Sequence, residues 1–432
     1  MDNLYDVEIE RIGVLGDGIA QSPLGPAYVP FGLPSEVWRI GEAGAPVRLT
    51  DSPDRIVPPC PHFDRCGGCL MQHVGGATYD HWKRDLVVQA LAHQGITAEV
   101  GELFRVPLGS RRRVVLGARV VEGACILGFH EARGHDLVDI DVCAVMRPEI
   151  VGALDDLRAV ARLLAEEDQP LRISVLASDT GLDVALNGAA LPGSGNRASI
   201  KALSAKLRQQ LAQFVTGVGW ARLSVAGEVV VLQTRPLIRF GETVVAPPMG
   251  VFLQAVREAE VEMQRLVVRA AGRSKTMLDL FAGLGTLTFP LAQVARVLAV
   301  DSDQVAIAAL DEGRRLAHGL KPVTSKVRDL FREPMSAKEL EPFDCAVFDP
   351  PRAGAAAQAL MLGKSTVPKV VAVSCNPVTL ARDLRILLDG GYEISEVTPI
   401  DQFMFSSHVE VVVVLKKGRP RRRATLAQRR AM

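Results

Sequence analysis

A cysteine near the end of the chain has the surroundings of a nucleophile. Cys375 follows the apolar, β-branched run VVAVS and precedes Asn376-Pro377 and a helical pattern. Because a buried parallel strand reads as a continuous apolar run and a residue before proline avoids helical geometry, Cys375 is predicted at the carboxyl end of a strand. Ligands bind at that edge of open α/β sheets. Most free cysteines are small buried structural residues. The neighbouring elements must therefore decide whether Cys375 is a nucleophile or a structural residue.

Two carboxylates are predicted at the same edge. Asp349 ends a strand and opens the sequence DPPR, in which two prolines fix a rigid exit. Glu410 begins the final apolar run, VVVVL. The last strand of such sheets is commonly antiparallel to the others, so its start lies beside Cys375. A thiol with nearby carboxylates has the groups for covalent catalysis and proton transfer.

Four other cysteines indicate a metal centre. Cys60, Cys66 and Cys69 lie within ten residues, and Cys143 lies far downstream. Four thiolates suit tetrahedral zinc or an iron–sulfur cluster. Structural zinc sites usually have two CxxC-type pairs, and the pattern here, a triplet and a distant single, favours [4Fe–4S]. The neighbouring His62 and His73 are predicted as ordinary surface histidines.

The elements that position these groups form a doubly wound α/β sheet in the C-terminal part of the chain. Strands alternate with helical patterns from about residue 251 onward, which is typical of such a sheet. The seven predicted strands are Met277-Phe281, Val297-Asp301, Thr324-Arg328, Cys345-Asp349, Val370-Ser374, Tyr392-Thr398 and Val409-Leu415.

A glycine turn after the first of these strands predicts a nucleotide-type ligand. Gly283 and Gly285 let the backbone approach a ligand closely, and Asp301 follows eighteen residues after Gly283, where an acidic residue reaches ribose hydroxyls. The third glycine of a dinucleotide fingerprint is missing. The turn therefore favours S-adenosylmethionine over a dinucleotide.

The rest of the chain predicts further units around this domain. Short strands in residues 1–50 indicate a small β-barrel, residues 51–95 hold the cysteine cluster and a helix, and 96–250 form a central α/β unit that includes Cys143. Arg111-Arg112-Arg113 fits RNA backbone contact or a solvated strand edge, and the basic residues of 419–432 fit phosphate contact or a solvated tail. Neither a membrane span nor an export signal is evident, which predicts a cytoplasmic protein. No obligate protein partner is evident from the sequence either.

The motifs together resemble one family over nearly the full length. LDLFAGLGTLTFPLA, FDPPRAG, VSCNPVTLARDL and HVEVVVVL, with FLQ at 252–254, are similar to the class I RNA (uracil-5-)-methyltransferase family. The CPHFDRCGGC cluster with Cys143 resembles its iron–sulfur subgroup, which includes the 23S ribosomal RNA enzyme, and the N-terminal stretch resembles the TRAM module. The resemblance implies a Rossmann-like methyltransferase domain at 251–418, a TRAM-like barrel and a central RNA-binding domain.

The resemblance also implies roles for individual residues. Cys375 would add to C6 of uracil, helped by a thiol pKa that a helix N-terminus lowers, and Glu410 would remove the C5 proton. Asp349 would also hold the uracil edge. The target base must leave any stack to reach the thiol. The residues that would line the cofactor site by the same matching are Gln254, Phe281, Thr286, Asp301, Asp329 and Asp349.

Several positions depart from the family pattern, and rival functions stand beside the expected one. Thr286 stands where asparagine is common, Ala282 replaces a frequent cysteine, and Asp301 stands for a usual glutamate. Ribosomal RNA is the expected substrate, with transfer RNA as the alternative. A cytosine-5 methyltransferase would carry a Pro-Cys pair where Arg352 stands. An RNA-binding protein without catalysis would not need both Cys375 and Glu410.

Overall fold

The computed structural model describes residues 4–41, 45–189 and 197–418 of the 432-residue chain. The N-terminal part folds as an antiparallel sheet, consistent with the predicted small barrel. Val7, Ile9, Ala20, Val29 and Trp38 form its apolar core. Its strands are β1 (Tyr5–Ile12), β2 (Gly18–Ser22), β3 (Gly25–Val29), β4 (Val37–Ile40) and β5 (Val47–Arg48), in the order β3-β2-β1-β4-β5.

A seven-stranded sheet follows in the middle of the chain. Its helices are α2 (Pro148–Val151), α3 (Leu154–Leu164) and α4 (Ala205–Val218). The apolar face of α3 and the buried side of α4 share one core with the sheet. The strands are β7 (Arg113–Val121), β8 (Ala124–His130), β9 (Leu137–Asp139), β10 (Leu171–Ser178), β11 (Gly181–Gly188), β12 (Arg222–Val225) and β13 (Glu228–Leu232), in the order β13-β12-β11-β10-β7-β8-β9. A hairpin, β14 (Ile238–Phe240) and β15 (Thr243–Val245), comes after it.

The C-terminal sheet contains all seven predicted strands, within a few residues at their ends, and one more that the sequence did not predict. Phe104–Arg105, β6, pairs in parallel with residues 400 and 401 at the sheet edge. The other strands are β16 (Thr276–Leu280), β17 (Arg296–Asp301), β18 (Val323–Val327), β19 (Cys345–Phe348), β20 (Lys369–Ser374), β21 (Tyr392–Asp401) and β22 (Glu410–Lys417). The order is β18-β17-β16-β19-β20-β22-β21-β6, and β22 runs antiparallel to both neighbours, as expected.

Helices cover both faces of this sheet, so the sheet is doubly wound. Successive residues of a strand point to opposite faces, and Leu278 therefore joins a different apolar core from Met277. One face is covered by α5 (Arg257–Ala271), α6 (Thr288–Ala292) and α7 (Gln304–Leu316), and the other by α1 (Gly76–His93), α8 (Ala337–Leu340), α9 (Ala356–Lys364) and α10 (Pro377–Asp389). Across the described residues, no helix combines the length and apolarity that a membrane crossing requires.

Candidate active site

Cys375 lies between β20 and α10, as the sequence predicted. The Asn376 side chain caps the helix by accepting a hydrogen bond from the Val378 N–H at 3.1 Å. Its amide nitrogen also donates to the Arg352 carbonyl at 3.1 Å. The turn that carries the thiol is thereby tied to the DPPR turn, so the two motifs meet at one sheet edge.

Glu410 and Asp349 are joined by two glutamine side chains. Nε2 of Gln402 donates to Glu410 Oε2 at 3.0 Å and to Gln254 Oε1 at 2.8 Å. Nε2 of Gln254 in turn donates to Asp349 Oδ2 at 2.9 Å. Gln402, Gln254 and Glu410 are each at most 3% exposed. The two carboxyl groups therefore belong to one buried hydrogen-bonded chain.

The charges of Glu410 and Asp349 affect the pKa of the Cys375 thiol. Burial, with the nearby charges of Glu410 and Asp349, raises the pKa of the Cys375 thiol to about 11, although the Arg352 guanidinium opposes the shift. The predicted lowering of that pKa was wrong, because burial, together with two carboxyl groups from other strands, outweighs the helix N-terminus. Burial raises the pKa of Asp349 to about 7, and burial with the Asp349 charge raises the pKa of Glu410 well above its ordinary value.

A small cleft beside this chain contains most of the predicted cofactor residues. It has a volume of about 50 Å³ and is formed by the FLQ segment, the glycine turn and the DPPR turn. Its predicted members are Gln254, Phe281, Thr286 and Asp349. Phe281 has a φ of 62°, a left-handed conformation that is uncommon for a side chain of its size.

The remaining two predicted cofactor residues lie at the border of the cleft. Asp301 ends β17 and accepts hydrogen bonds from the Gly283 and Asp303 N–H groups, each at 2.8 Å. The Asp301 carboxylate therefore holds the glycine turn. Asp329 is outside the residues that form the cleft and accepts from the Phe331 N–H at 2.9 Å. The Phe331 ring lies 5.4 Å from the Phe281 ring, which brings this loop to the cleft.

Two polar residues of the site were not predicted from the sequence. Gln402 is one, and Asp279 on β16 is the other. Asp279 is 1% exposed, lines the cleft and accepts a hydrogen bond from the Thr288 hydroxyl at 2.5 Å. Burial raises its pKa to about 7. A carboxylate inside an otherwise apolar strand was the available signal for Asp279.

The arginine triplet does not act as one basic surface. Arg112 is 3% exposed and forms a buried ion pair with Glu260 at 2.7 Å, so both predicted alternatives, an RNA contact and a solvated strand edge, were wrong for this residue. Arg113 donates to the Leu253 carbonyl at 3.0 Å, and its guanidinium lies 5.1 Å from the Phe252 ring centre. Both contacts brace the FLQ segment against the central sheet.

The four predicted cluster ligands line a second cavity. Its volume is about 290 Å³, and it contains Cys60, Cys66, Cys69 and Cys143. The residues that follow β21 also line it, namely Gln402, Phe403, Met404, Ser406 and His408. The cysteine cavity therefore adjoins the segment that leads to Glu410.

Burial raises the pKa of three of the four thiols in the cysteine cavity. Burial raises the pKa of Cys69 to about 12 and also raises the pKa values of Cys66 and Cys143. Uncoordinated, these thiols would stay protonated, whereas iron or zinc stabilises the thiolate form. Within the ranges that the structure describes, no three His, Cys, Asp or Glu side chains form a site for a single metal ion.

The two nearby histidines are engaged elsewhere. His62 Nε2 lies 2.8 Å from Asp141. His73 is 1% exposed and packs against the rings of Phe31 and Phe63. Its prediction as a surface histidine was therefore wrong, because the barrel and the cysteine segment close over it.

Comparisons with known proteins agree on one type of chemistry. The family described as tRNA (Uracil-5-)-methyltransferase matches residues 248–418. A Brucella suis protein named as an uncharacterized RNA methyltransferase is 47% identical over 96% of this chain and 98% of its own length. The 23S rRNA (uracil(1939)-C(5))-methyltransferase RlmD of Chromohalobacter salexigens is 31% identical over 98% of this chain and 91% of its own.

A solved structure supports the same fold. The tRNA (uracil-54, C5)-methyltransferase of Pyrococcus abyssi, in complex with S-adenosyl-L-homocysteine, has a TM-score of 0.70 and covers 96% of this chain and all of its own. Its sequence identity is 22%, so the likeness concerns the fold.

Proposed function

Because this chain belongs to the S-adenosylmethionine-dependent RNA (uracil-5-)-methyltransferases, we propose that it methylates C5 of one uridine in 23S rRNA through a covalent Cys375 adduct. The observation that carries the proposal is the meeting of Cys375, Glu410 and Asp349 at one edge of the sheet, where hydrogen bonds link the turns and side chains that hold them. The 23S substrate follows the relative of that name, which aligns over nearly the whole chain. We place the reaction in the cytoplasm.

The need for a nucleophile follows from the chemistry of uracil. C5 is a weak nucleophile until the Cys375 sulfur adds to C6 and the C5=C6 electron pair moves toward the C4 carbonyl. Because burial raises the thiol pKa, a neighbouring cation must favour the thiolate, and Arg352 is the charged group that acts in this direction. S-adenosylmethionine supplies an electrophilic methyl group on its sulfonium.

Glu410 completes the reaction. After C5 has attacked the methyl group, the Glu410 carboxylate takes the remaining C5 proton. The electrons of the C5–H bond re-form the C5=C6 double bond, and the bond from C6 to the Cys375 sulfur breaks. A carboxylate whose pKa is raised by burial is a stronger base than an exposed one.

We assign the cofactor site to Gln254, Phe281, Thr286, Asp301, Asp329 and Asp349. Asp301 would reach the ribose, and Asp349 would also hold the uracil edge. The support is the cleft that four of these residues share, with Asp301 and the Asp329 loop at its border. The N-terminal and central sheets would carry the RNA, in the ranges 1–50 and 96–250.

We also assign a [4Fe–4S] cluster to Cys60, Cys66, Cys69 and Cys143. The support is the single cavity that the four thiols line. Iron and acid-labile sulfide analysis of protein purified without oxygen tests the assignment, with Cys69→Ser as the variant that loses both. Zinc in place of iron would contradict the cluster while leaving the four ligands in place.

Trapping with 5-fluorouridine tests the covalent step. Fluorine at C5 cannot be removed as a proton, so the adduct accumulates. Transcripts of 23S rRNA and of tRNA are made with 5-fluorouridine and incubated with protein and S-adenosylmethionine. We expect a denaturation-resistant complex with 23S rRNA that Cys375→Ala abolishes. A complex with tRNA alone would transfer the proposal to that substrate, and no complex with either RNA would refute the covalent route.

A further inference from the structure

Gln402 makes the contacts of a residue that orients the proton acceptor. Both hydrogens of its Nε2 are used, one toward Glu410 Oε2 at 3.0 Å and one toward Gln254 Oε1 at 2.8 Å. Gln254 donates its own amide hydrogen to Asp349. The Gln254 oxygen must therefore face Gln402, which fixes the donor and the acceptor of every hydrogen bond in this series. Reversing both amides would direct the Gln254 oxygen at the Asp349 carboxylate, which can accept hydrogen bonds but, once ionised, cannot donate them.

The two oxygens of Glu410 are in different situations. Oε2 is held by Gln402, whereas Oε1 is buried without a hydrogen-bond partner among the described residues. A buried acceptor of this kind needs an explanation, such as a partner that arrives with the substrate. We infer that Gln402 is a positioning residue, which holds one oxygen of Glu410 so that the other faces the C5 proton of the uracil adduct. This inference rests on the proposed role of Glu410 as the base.

The position of Gln402 in the fold suits this role. Gln402 directly follows β21, and Glu410 begins β22. The two residues therefore lie at opposite ends of the loop that connects these neighbouring strands. Gln402 also lines the cysteine cavity. Its side chain therefore stands between the cysteine cavity and the reacting groups.

In the affected step, the held carboxylate accepts the C5 proton, the C–H electrons form the C5=C6 bond and the C6–S bond breaks. Without Gln402, the carboxyl group can rotate, and its charged form loses a donor. Formation of the adduct does not use this contact. The loss should therefore appear in the decay of the adduct and not in its formation.

The test is a single-turnover reaction of Gln402→Met with natural 23S rRNA transcript and S-adenosylmethionine. Methionine keeps the length of the side chain and removes the donor. We expect the covalent adduct to form at the unaltered rate and to decay about tenfold more slowly or more. The pH dependence of the adduct decay rate should shift to higher pH, because the Glu410 carboxylate has lost a hydrogen-bond donor. Gln402→Leu, which also lacks the donor, should show the same slow decay if the methionine variant folds poorly.

The matched control is Gln358→Met. Gln358 is also fully buried in this domain, but it bonds to the Met335 backbone away from the site. Its variant should lose stability and keep the normal decay rate and pH profile. Normal decay in both Gln402 variants, with the adduct present, would overturn the role of Gln402 alone. Absence of any adduct in the unaltered enzyme would overturn the covalent route and this inference with it.

Discussion

A buried lysine on α1 is expected to hold the segment that leads to Glu410. Lys83 is fully buried, and its Nζ lies 2.8 Å from Asp401 Oδ1. The same Nζ donates to the carbonyls of Phe403, at 3.0 Å, and His408. Lys83→Met therefore removes an ion pair and two backbone contacts at once.

The size of the effect follows from burial. Removing one partner of a buried ion pair costs about 3–5 kcal/mol, because the other charge stays buried and uncompensated. Asp401 is 1% exposed, and its remaining side-chain partner is the Tyr79 hydroxyl, which donates to Oδ2 at 2.7 Å. We expect Lys83→Met to lower the free energy of unfolding by about 3 kcal/mol or more. Adding Asp401→Asn should recover part of this loss, since no buried charge then remains.

Urea denaturation followed by circular dichroism measures the effect. Arg39→Met is the control, because the Arg39–Asp6 ion pair is exposed to solvent and should contribute little to stability. Hydrogen exchange of the peptide that covers 402–409 should also rise in Lys83→Met. A loss below about 1 kcal/mol, no larger than in Arg39→Met, would refute the role of the buried pair.

Three further predictions concern the carboxylates of the site. Asp279→Asn should flatten the pH dependence of stability. The pKa of Asp279 in the folded protein, about 7, exceeds the ordinary 3.8, so the unaltered protein loses stability as pH rises through 7. Urea midpoints at several pH values measure this slope in both proteins. Asp301→Ala should weaken S-adenosylhomocysteine binding by roughly tenfold or more in calorimetry, since its carboxylate holds the Gly283 N–H; unchanged affinity would exclude this role. Glu410→Gln should accumulate the methylated adduct on denaturing gels, whereas rapid product release would remove Glu410 as the base.

The sequence was sufficient where the signal is local. Apolar runs that end at Asp301, Asp349 and Cys375 located the parallel strands, because each strand has a continuous apolar sequence and a polar or turn residue that ends it. The edge strand at 104–105 was missed because it is two residues long and is defined by its pairing with residues 400 and 401. No local pattern encodes such a long-range pairing.

Electrostatic environment was harder to predict than position. The helix after Cys375 suggested a lowered thiol pKa, but burial raises it, and so do the charges of Glu410 and Asp349 from other strands. The sequence suggested that Arg112 is a surface charge, whereas in the structure it forms a buried ion pair with Glu260. In each case residues distant in sequence form the environment, so the sign of the effect depends on the tertiary structure.

The most direct test of the central claim is mass spectrometry of mapped RNA fragments from cells. A strain that lacks the gene is compared with the same strain carrying the unaltered gene or Cys375→Ala. We expect 5-methyluridine at one position of 23S rRNA to be lost on deletion, restored by the unaltered gene and not restored by Cys375→Ala. Unchanged methylation of every uridine on deletion, or full restoration by Cys375→Ala, would contradict the account.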